Sequence, residues 1–282
     1  LIEKDRHPTR TANGVVDFPL KHSHPVEDLR EVTADHVPVA HAPVWAADAV
    51  RVAVAEPVHG VLVDAGGGDD VVNGEDGADT LTGGTGEDEV YGGAGNYTIV
   101  GSLDGTRDFY DGGSGTDTVD YTGTTTAIRV NMGFAYALSD EIGLDRMANV
   151  ERVVGGADAD SLTSGVTTGV IFDGGAGNDG ISGGTGSDTL IGGSGNDVIF
   201  GGAGFDRIEG GTGGDNLNGG FNADTFVFAD GFGNDTITDF DEFNNLEKID
   251  LAAVTNITDL ADLFANHLTQ VGANAVITDG GN

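Results

Sequence analysis

The chain has 282 residues, 49 of them glycine, no cysteine, and a formal net charge of -35. So acidic a surface repels nucleic acid, no disulfide can staple a backbone this rich in glycine, and the carboxylates call for a bound cation. No stretch approaches the roughly 20 apolar residues of a membrane helix, so no membrane span is expected.

Residues 1–60 stand apart. They hold all six prolines, six of the seven histidines and the only tryptophan, Trp45, but only two glycines, Gly14 and Gly60. Their nine acidic and six basic side chains sum to -3, against 38 acidic and six basic, or -32, in the remainder. Asp28 to Ala34 fits one or two helical turns, and alternation in Val50, Val52 and Val54, then Val61 and Val63, predicts short strands. Proline demotes most of the segment to extended linker or edge structure, read as a linker or the tail of an upstream domain. His22, His24, His36, His41 and His59 offer a transition-metal alternative, but scattered, proline-flanked histidines are more often solvated. Trp45 reads as a packing anchor.

A nine-residue unit then takes over. A first block, within residues 61–120, contains AGGGDDVVN, GEDGADTLT, GGTGEDEVY and GGAGNYTIV, with Asp70, Asp79, Asp88 and Tyr97 at the sixth position. Two looser units place Asp108 and Asp117 there. The period fails over 121–154, where Ile128, Val130 and Met132 alternate as in a half-buried strand. It resumes in a second block, 155–240, with Asp160 in GGADADSLT, while SGVTTGVIF keeps the period with Gly169 in place of the aspartate. From Gly174 to Val227 six units follow without a break. Their sixth positions are Asp179, Asp188, Asp197, Asp206, Asp215 and Asp224, and their eighth are Ile181, Leu190, Ile199, Ile208, Leu217 and Phe226. Residues 241–282 read as a cap, with a short amphipathic helix over Asp259–His267 that groups Leu260, Leu263 and Phe264, a surface His267, and a closing strand over Val271–Thr278.

Six residues of turn and three of strand reverse the chain once per unit, so two units complete a coil. The eighth positions then fill a thin core between two parallel sheets: an all-β, right-handed parallel β-roll, a β-solenoid of nonapeptide repeats with a short α/β C-terminal cap. Alternate turns stack, placing Asp179, Asp197 and Asp215 in one column and Asp188, Asp206 and Asp224 in the other. Stacked carboxylates repel unless a dication lies between them. Calcium suits six to eight irregular oxygen ligands, whereas magnesium demands a strict octahedron and zinc finds no histidine or thiolate in these turns.

These units match GGxGxDxUx and resemble the RTX (repeats-in-toxin, hemolysin-type) calcium-binding proteins over roughly residues 64–240. The resemblance implies that each Ca2+ lies between a turn and the turn two units on. The first gives carbonyls at positions two and four plus its aspartate; the second gives carbonyls at positions one and three plus its own. Carried over, one set is Gly175, Gly177, Asp179, Gly192, Ser194 and Asp197, followed by Gly193, Gly195, Asp197, Gly210, Thr212 and Asp215. The other column has Gly184, Gly186, Asp188, Gly201, Ala203 and Asp206, then Gly202, Gly204, Asp206, Gly219, Phe221 and Asp224. The first block has Gly66, Gly68, Asp70, Gly83, Thr85 and Asp88. Gly174 and Ala176 fall on the turn that meets Asp160, whose spacing of 19 from Asp179 must absorb one extra residue. Asp79 faces Tyr97 and should hold a poor or empty site, and Asp117 sits beside a broken neighbour.

The resemblance also implies secretion from a Gram-negative bacterium through type I secretion machinery, with folding on meeting extracellular calcium. The expected function is a calcium-binding module of a larger extracellular or surface protein, with a cell-surface or polysaccharide target. The alternative is the noncatalytic C-terminal region of a secreted RTX protease, lipase or polysaccharide epimerase. No catalysis is expected from the repeats themselves: no His-Glu-x-x-His motif occurs, and their carboxylates are assigned to calcium.

Overall fold

Ile181, Ile199 and Leu217 are register partners across the parallel strands Gly180–Thr185, Val198–Ala203 and Asn216–Phe221. Leu190, Ile208 and Phe226 are partners across Thr189–Gly195, Arg207–Gly213 and Thr225–Ala229. All six side chains are buried. Every second unit returns to the same sheet one strand higher, which is the two-unit coil the period predicts. Glycine and the turn aspartate supply the bends, and the single apolar slot supplies the core.

This computed structural model describes residues 60–240 continuously, with 9–10, 16–17, 29–32, 39–41, 51–54, 247–258, 262–271 and 274–279. His22, His24, His36, His59, Trp45 and Leu260 lie outside the described residues, as does the side chain of His41. Two compact units are distinguished, residues 1–119 with 148–150 and residues 120–147 with 151–282.

In the first unit, Leu29–Val32, Arg51–Val54, Val71–Asn73, Glu89–Gly95 and Phe109–Ser114 form one parallel ladder. Val39–His41, Leu62–Asp64, Thr80–Thr82 and Thr98–Val100 form another. The stretch read as one or two helical turns is thus a strand at Leu29–Val32, because a parallel neighbour at Arg51–Val54 overrides weak local propensity. Val61 and Val63 are buried, as their alternation predicts.

The second unit repeats the plan. One parallel ladder runs Arg129–Asn131, Ser161–Thr163, Gly180–Thr185, Val198–Ala203, Asn216–Phe221 and Asn234–Ile237. The other runs Arg152–Val154, Ile171–Ala176, Thr189–Gly195, Arg207–Gly213, Thr225–Ala229 and Lys248–Ala253. Where the period fails, Tyr136–Ser139 and Gly143–Ala148 add antiparallel strands beside Arg129–Asn131. Ile128 and Val130 are buried and Met132 is half-buried.

The far end differs from expectation. The closing strand is a hairpin, Leu268–Val271 against Asn274–Thr278. The helix is a single π-type turn, Leu263–His267, which turns Leu263 and His267 inward and leaves Phe264 66% exposed. His267 is not a surface residue: it is 6% exposed, and its Nδ1 lies 2.8 Å from the Thr278 carbonyl oxygen. Residues four apart share the inner side of so short a turn, and the hairpin covers them.

The core is one side chain thick, so each rung counts. Ile199→Ala is expected to cost about 2–5 kcal/mol in calcium-saturated urea unfolding. Thr189→Ala, at a half-exposed position of the other sheet, should stay within about 0.5 kcal/mol.

Candidate metal centre

The turns stack as the strands do, and the aspartates form a ladder. Asp179 N–H donates to Asp197 Oδ1 and Asp197 N–H to Asp215 Oδ1, both at 2.8 Å. In the other column Asp188 N–H reaches Asp206 Oδ1 at 2.8 Å and Asp206 N–H reaches Asp224 Oδ1 at 2.9 Å. In the first unit Asp70 N–H reaches Asp88 Oδ1 at 2.8 Å. Carboxylates 18 positions apart are therefore neighbours. A second ladder, which sequence reasoning missed, runs through the fifth position. Asn178 Oδ1 accepts from Asn196 N–H at 2.7 Å, and Asn196 Oδ1 accepts from Gly214 N–H at 2.8 Å. Its signal was the recurrence of Asn, Asp or Ser just before the aspartate.

The other carboxylate oxygen differs. Oδ2 of Asp79, Asp88, Asp179, Asp188, Asp197, Asp206, Asp215, Asp224 and Asp235 is buried and meets no hydrogen-bond donor among the described residues. Burying a carboxylate oxygen without a partner is costly, and burial raises the pKa of a carboxyl group. Burial, with neighbouring carboxylates adding, pushes Asp88 and Asp179 up to about 7, Asp197 and Asp206 to about 6, and Asp235 to about 8.

Backbone oxygens complete the setting. Gly177 and Gly195, at the fourth position of stacked turns, have φ of 131° and 136°, and a methyl on Gly195 would overlap the Gly177 carbonyl oxygen. Only glycine tolerates both demands. The Gly175 carbonyl faces Gly193 in the same way, while the Gly192 carbonyl faces back toward Gly174. Positions two and four of one turn thus face forward and position one of the next faces back. Gly184, Gly186, Gly201, Gly202, Gly204 and Gly219 repeat the arrangement in the other column. Position-three carbonyls are engaged by neighbouring amides: Ser194 accepts from Gly177 N–H, Ala203 from Gly186 N–H and Thr85 from Gly68 N–H, each at 2.8 Å. A carbonyl retains a second lone pair for a further partner.

Among the described residues no group of three or more His, Cys, Asp or Glu side chains comes together. Each gap between stacked turns instead offers two carboxylates and a set of backbone carbonyls. That donor set is all oxygen and irregular, and it fits calcium rather than zinc or magnesium. The family model described as RTX calcium-binding nonapeptide repeat matches four stretches, residues 64–99, 173–208, 191–226 and 200–237. These stretches carry RTX calcium-binding repeats. No curated protein matches the chain.

Several turns depart from the RTX pattern, each for a visible reason. Tyr97 is buried, its ring lies against Gly74 and Gly92, and its hydroxyl donates to the Glu75 carbonyl at 3.0 Å. An aromatic plug thus stands where the carboxylate facing Asp79 would be. Asp117 is nevertheless in line: its Oδ1 accepts from Tyr97 N–H at 2.8 Å across a spacing of 20. Asp108 keeps its rung with Asp88 N–H at 2.9 Å, but its Oδ2 is taken by the hydroxyls of Ser102 and Tyr110.

The one-residue misfit between Asp160 and Asp179 is absorbed in the turn between them, which corrects the reading of SGVTTGVIF. Val170, not Gly169, holds the aspartate's place, since Val170 N–H meets Asp188 Oδ1 at 2.8 Å. Phe172, not Ile171, enters the core opposite Leu190. Asp160 N–H reaches Asp179 Oδ1 at 2.7 Å, but Asp160 Oδ2 already accepts from Gly156 N–H at 2.7 Å. The turn carrying Gly174 and Ala176 stacks on that of Gly156, with Ala176 N–H donating to the Gly156 carbonyl at 2.9 Å.

One ladder member was missed. Asp235 is fully buried and its Oδ1 accepts from Asp215 N–H at 2.9 Å, 20 positions on. The string Gly233-Asn234-Asp235 repeats Gly195-Asn196-Asp197, but a two-residue insertion hides it from a strict count of nine. A Gly-x-Ser-x-Gly string also occurs, Gly180 to Gly184, but strand Gly180–Thr185 continues through it, so it makes no nucleophile elbow.

Proposed function

We propose that this chain is a calcium-dependent folding module of a larger extracellular or surface protein. The row of buried Oδ2 atoms lacking donors between stacked turns carries this reading. The ligand sets are those of consecutive turns: Gly175, Gly177 and Asp179 with Gly192, Ser194 and Asp197, and the equivalent sets along both columns. Asp215 and Asp235 extend one column by a further rung. When bound, calcium supplies positive charge between the stacked carboxylates and turns their repulsion into attraction. The chain's own part is to present two aspartates and several carbonyls per gap.

The repeat blocks are 61–120 and 155–240; strands Leu29–Val32, Val39–His41 and Arg51–Val54 from residues 1–60 extend the ladders of the first, strands Arg129–Asn131 and Arg152–Val154 from 121–154 and Lys248–Ala253 from 241–282 those of the second. The metal site does not exist in the unfolded chain, so binding and folding are one equilibrium. Such coupling suits export of an unfolded chain by type I secretion machinery from a Gram-negative cell, followed by folding in external calcium at a Kd on the order of 10⁻⁴ to 10⁻³ M. Circular dichroism tests it. Excess EGTA is expected to abolish the β signal and millimolar calcium, but not magnesium, to restore it. A spectrum indifferent to EGTA would overturn the reading.

A further inference from the structure

The two sheets of the second unit are built from the same repeat, yet their outward faces differ in charge. On one, Arg152 pairs with Asp173 at 3.3 Å and Arg207 with Glu209 at 3.1 Å, and Lys248 and Asp250 lie beyond. On the other, five consecutive parallel strands, Ser161–Thr163, Gly180–Thr185, Val198–Ala203, Asn216–Phe221 and Asn234–Ile237, contain a single charged residue, Asp235, and it is buried. In a chain of net charge -35 this neutrality is not a by-product of the fold, because the sister sheet does not share it.

The neutral strip has an apolar centre and a polar margin. Val198 is 40% and Phe200 50% exposed. Phe200 stands in register between Ser182 and Asn218, and Val198 between Gly180 and Asn216. The Asn218 amide donates to the Thr238 hydroxyl at 3.0 Å, and that hydroxyl donates to the Leu217 carbonyl at 3.1 Å, so the amide is held in place.

Size and charge select the occupant. Five strands about 4.8 Å apart make a strip about 19 Å long, and two outward positions per strand make it about 7 Å wide. A stable protein partner, a second copy included, needs about 800 Å² per side, far more than this. Mutual repulsion opposes a second copy further, and the same field repels an anionic polymer. A cationic one would be drawn to the acidic faces instead. What fits is a long, uncharged chain one unit wide, with apolar ring faces and hydroxyl edges.

We propose that this strip binds one strand of an uncharged polysaccharide laid across the β-strands, with Phe200 stacked on a sugar ring and Ser182, Asn216 and Asn218 bonding its hydroxyls. Aromatic faces take apolar C–H surface while amides and hydroxyls both donate and accept. The proposal requires only that the roll be folded, whichever ion folds it.

Affinity electrophoresis of the full chain in millimolar calcium and 0.15 M salt, through gels holding dextran, laminarin, galactomannan or polygalacturonate, tests it. At least one of the three neutral polymers is expected to retard the chain, and Phe200→Ala and Asn218→Ala each to weaken that binding about tenfold. Thr225→Ala, on the charged sheet, should bind unchanged, and circular dichroism should show every variant folded in calcium. The proposal is overturned if no neutral polymer retards the chain, if only polygalacturonate does, or if both strip variants bind as before. It is also overturned if Phe200→Ala merely converts a dimer to a monomer in ultracentrifugation. The calcium-induced change in circular dichroism is read separately, so failure here leaves the calcium reading standing.

Discussion

Asp197→Ala and Asp206→Ala are each expected to abolish two adjacent calcium sites rather than one. Asp197 faces two gaps: its Oδ1 accepts from Asp179 N–H and its own N–H donates to Asp215 Oδ1. Asp206 does the same between Asp188 and Asp224. Removing either carboxylate strands a buried N–H, at about 1–3 kcal/mol. It also removes a shared ligand from the gap on each side. With free calcium at 100 times Kd, each lost site withdraws about 2.7 kcal/mol of stabilisation, so two withdraw about 5 kcal/mol. Asp79→Ala should lose far less, because Tyr97 already blocks the gap on one side. Calcium titration by calorimetry reads the stoichiometry, and equal losses for all three variants would refute the shared-ligand scheme.

Calcium-free and calcium-loaded protein are expected to respond to pH in opposite directions. Without a cation, burial pushes Asp88, Asp179, Asp197, Asp206 and Asp235 to between about 6 and about 8, against 3.8 as the ordinary value. These groups hold their protons in the fold but release them in the unfolded chain. Their contribution to stability is therefore full below about 4 and is lost as pH rises through about 6 to 8. In calcium-free buffer the β signal in circular dichroism, lost near neutral pH, should recover in part as pH falls from 8 to 5. With calcium present the carboxylates must be ionised, so the metal competes with the protons and its apparent affinity should rise over the same window. A calcium-free β signal larger at pH 8 than at pH 5 would contradict the burial of these carboxylates.

Where the period held, sequence sufficed. The apolar eighth position could only face inward, and a six-residue turn with glycine at positions two and four left Asp179, Asp188, Asp197 and Asp206 no place but the stack. Legibility failed where a turn changed length. One added residue before Val170 moved the core position from Ile171 to Phe172, and both are apolar, so pattern alone could not choose between them. Two added residues hid Asp235. Asp108 and Tyr97 were lost to local chemistry, hydroxyls satisfying one carboxylate and a ring replacing another, which depends on groups brought near by stacking rather than by spacing. The C-terminal turn misled because Leu263 and His267 are buried by a hairpin that no local period announces. The neutral strip was legible in principle, since it is every second residue of alternate units, but its meaning required knowing which strands share a sheet.

Diffraction from crystals grown in millimolar calcium, with anomalous scattering used to mark the metal, tests the central claim most directly. Peaks are expected in the gaps between Asp179 and Asp197, Asp197 and Asp215, Asp188 and Asp206, and Asp206 and Asp224, each ringed by oxygens at about 2.3–2.6 Å. Gaps empty of anomalous signal at full calcium, or metal bound away from the stacked aspartates, would contradict it.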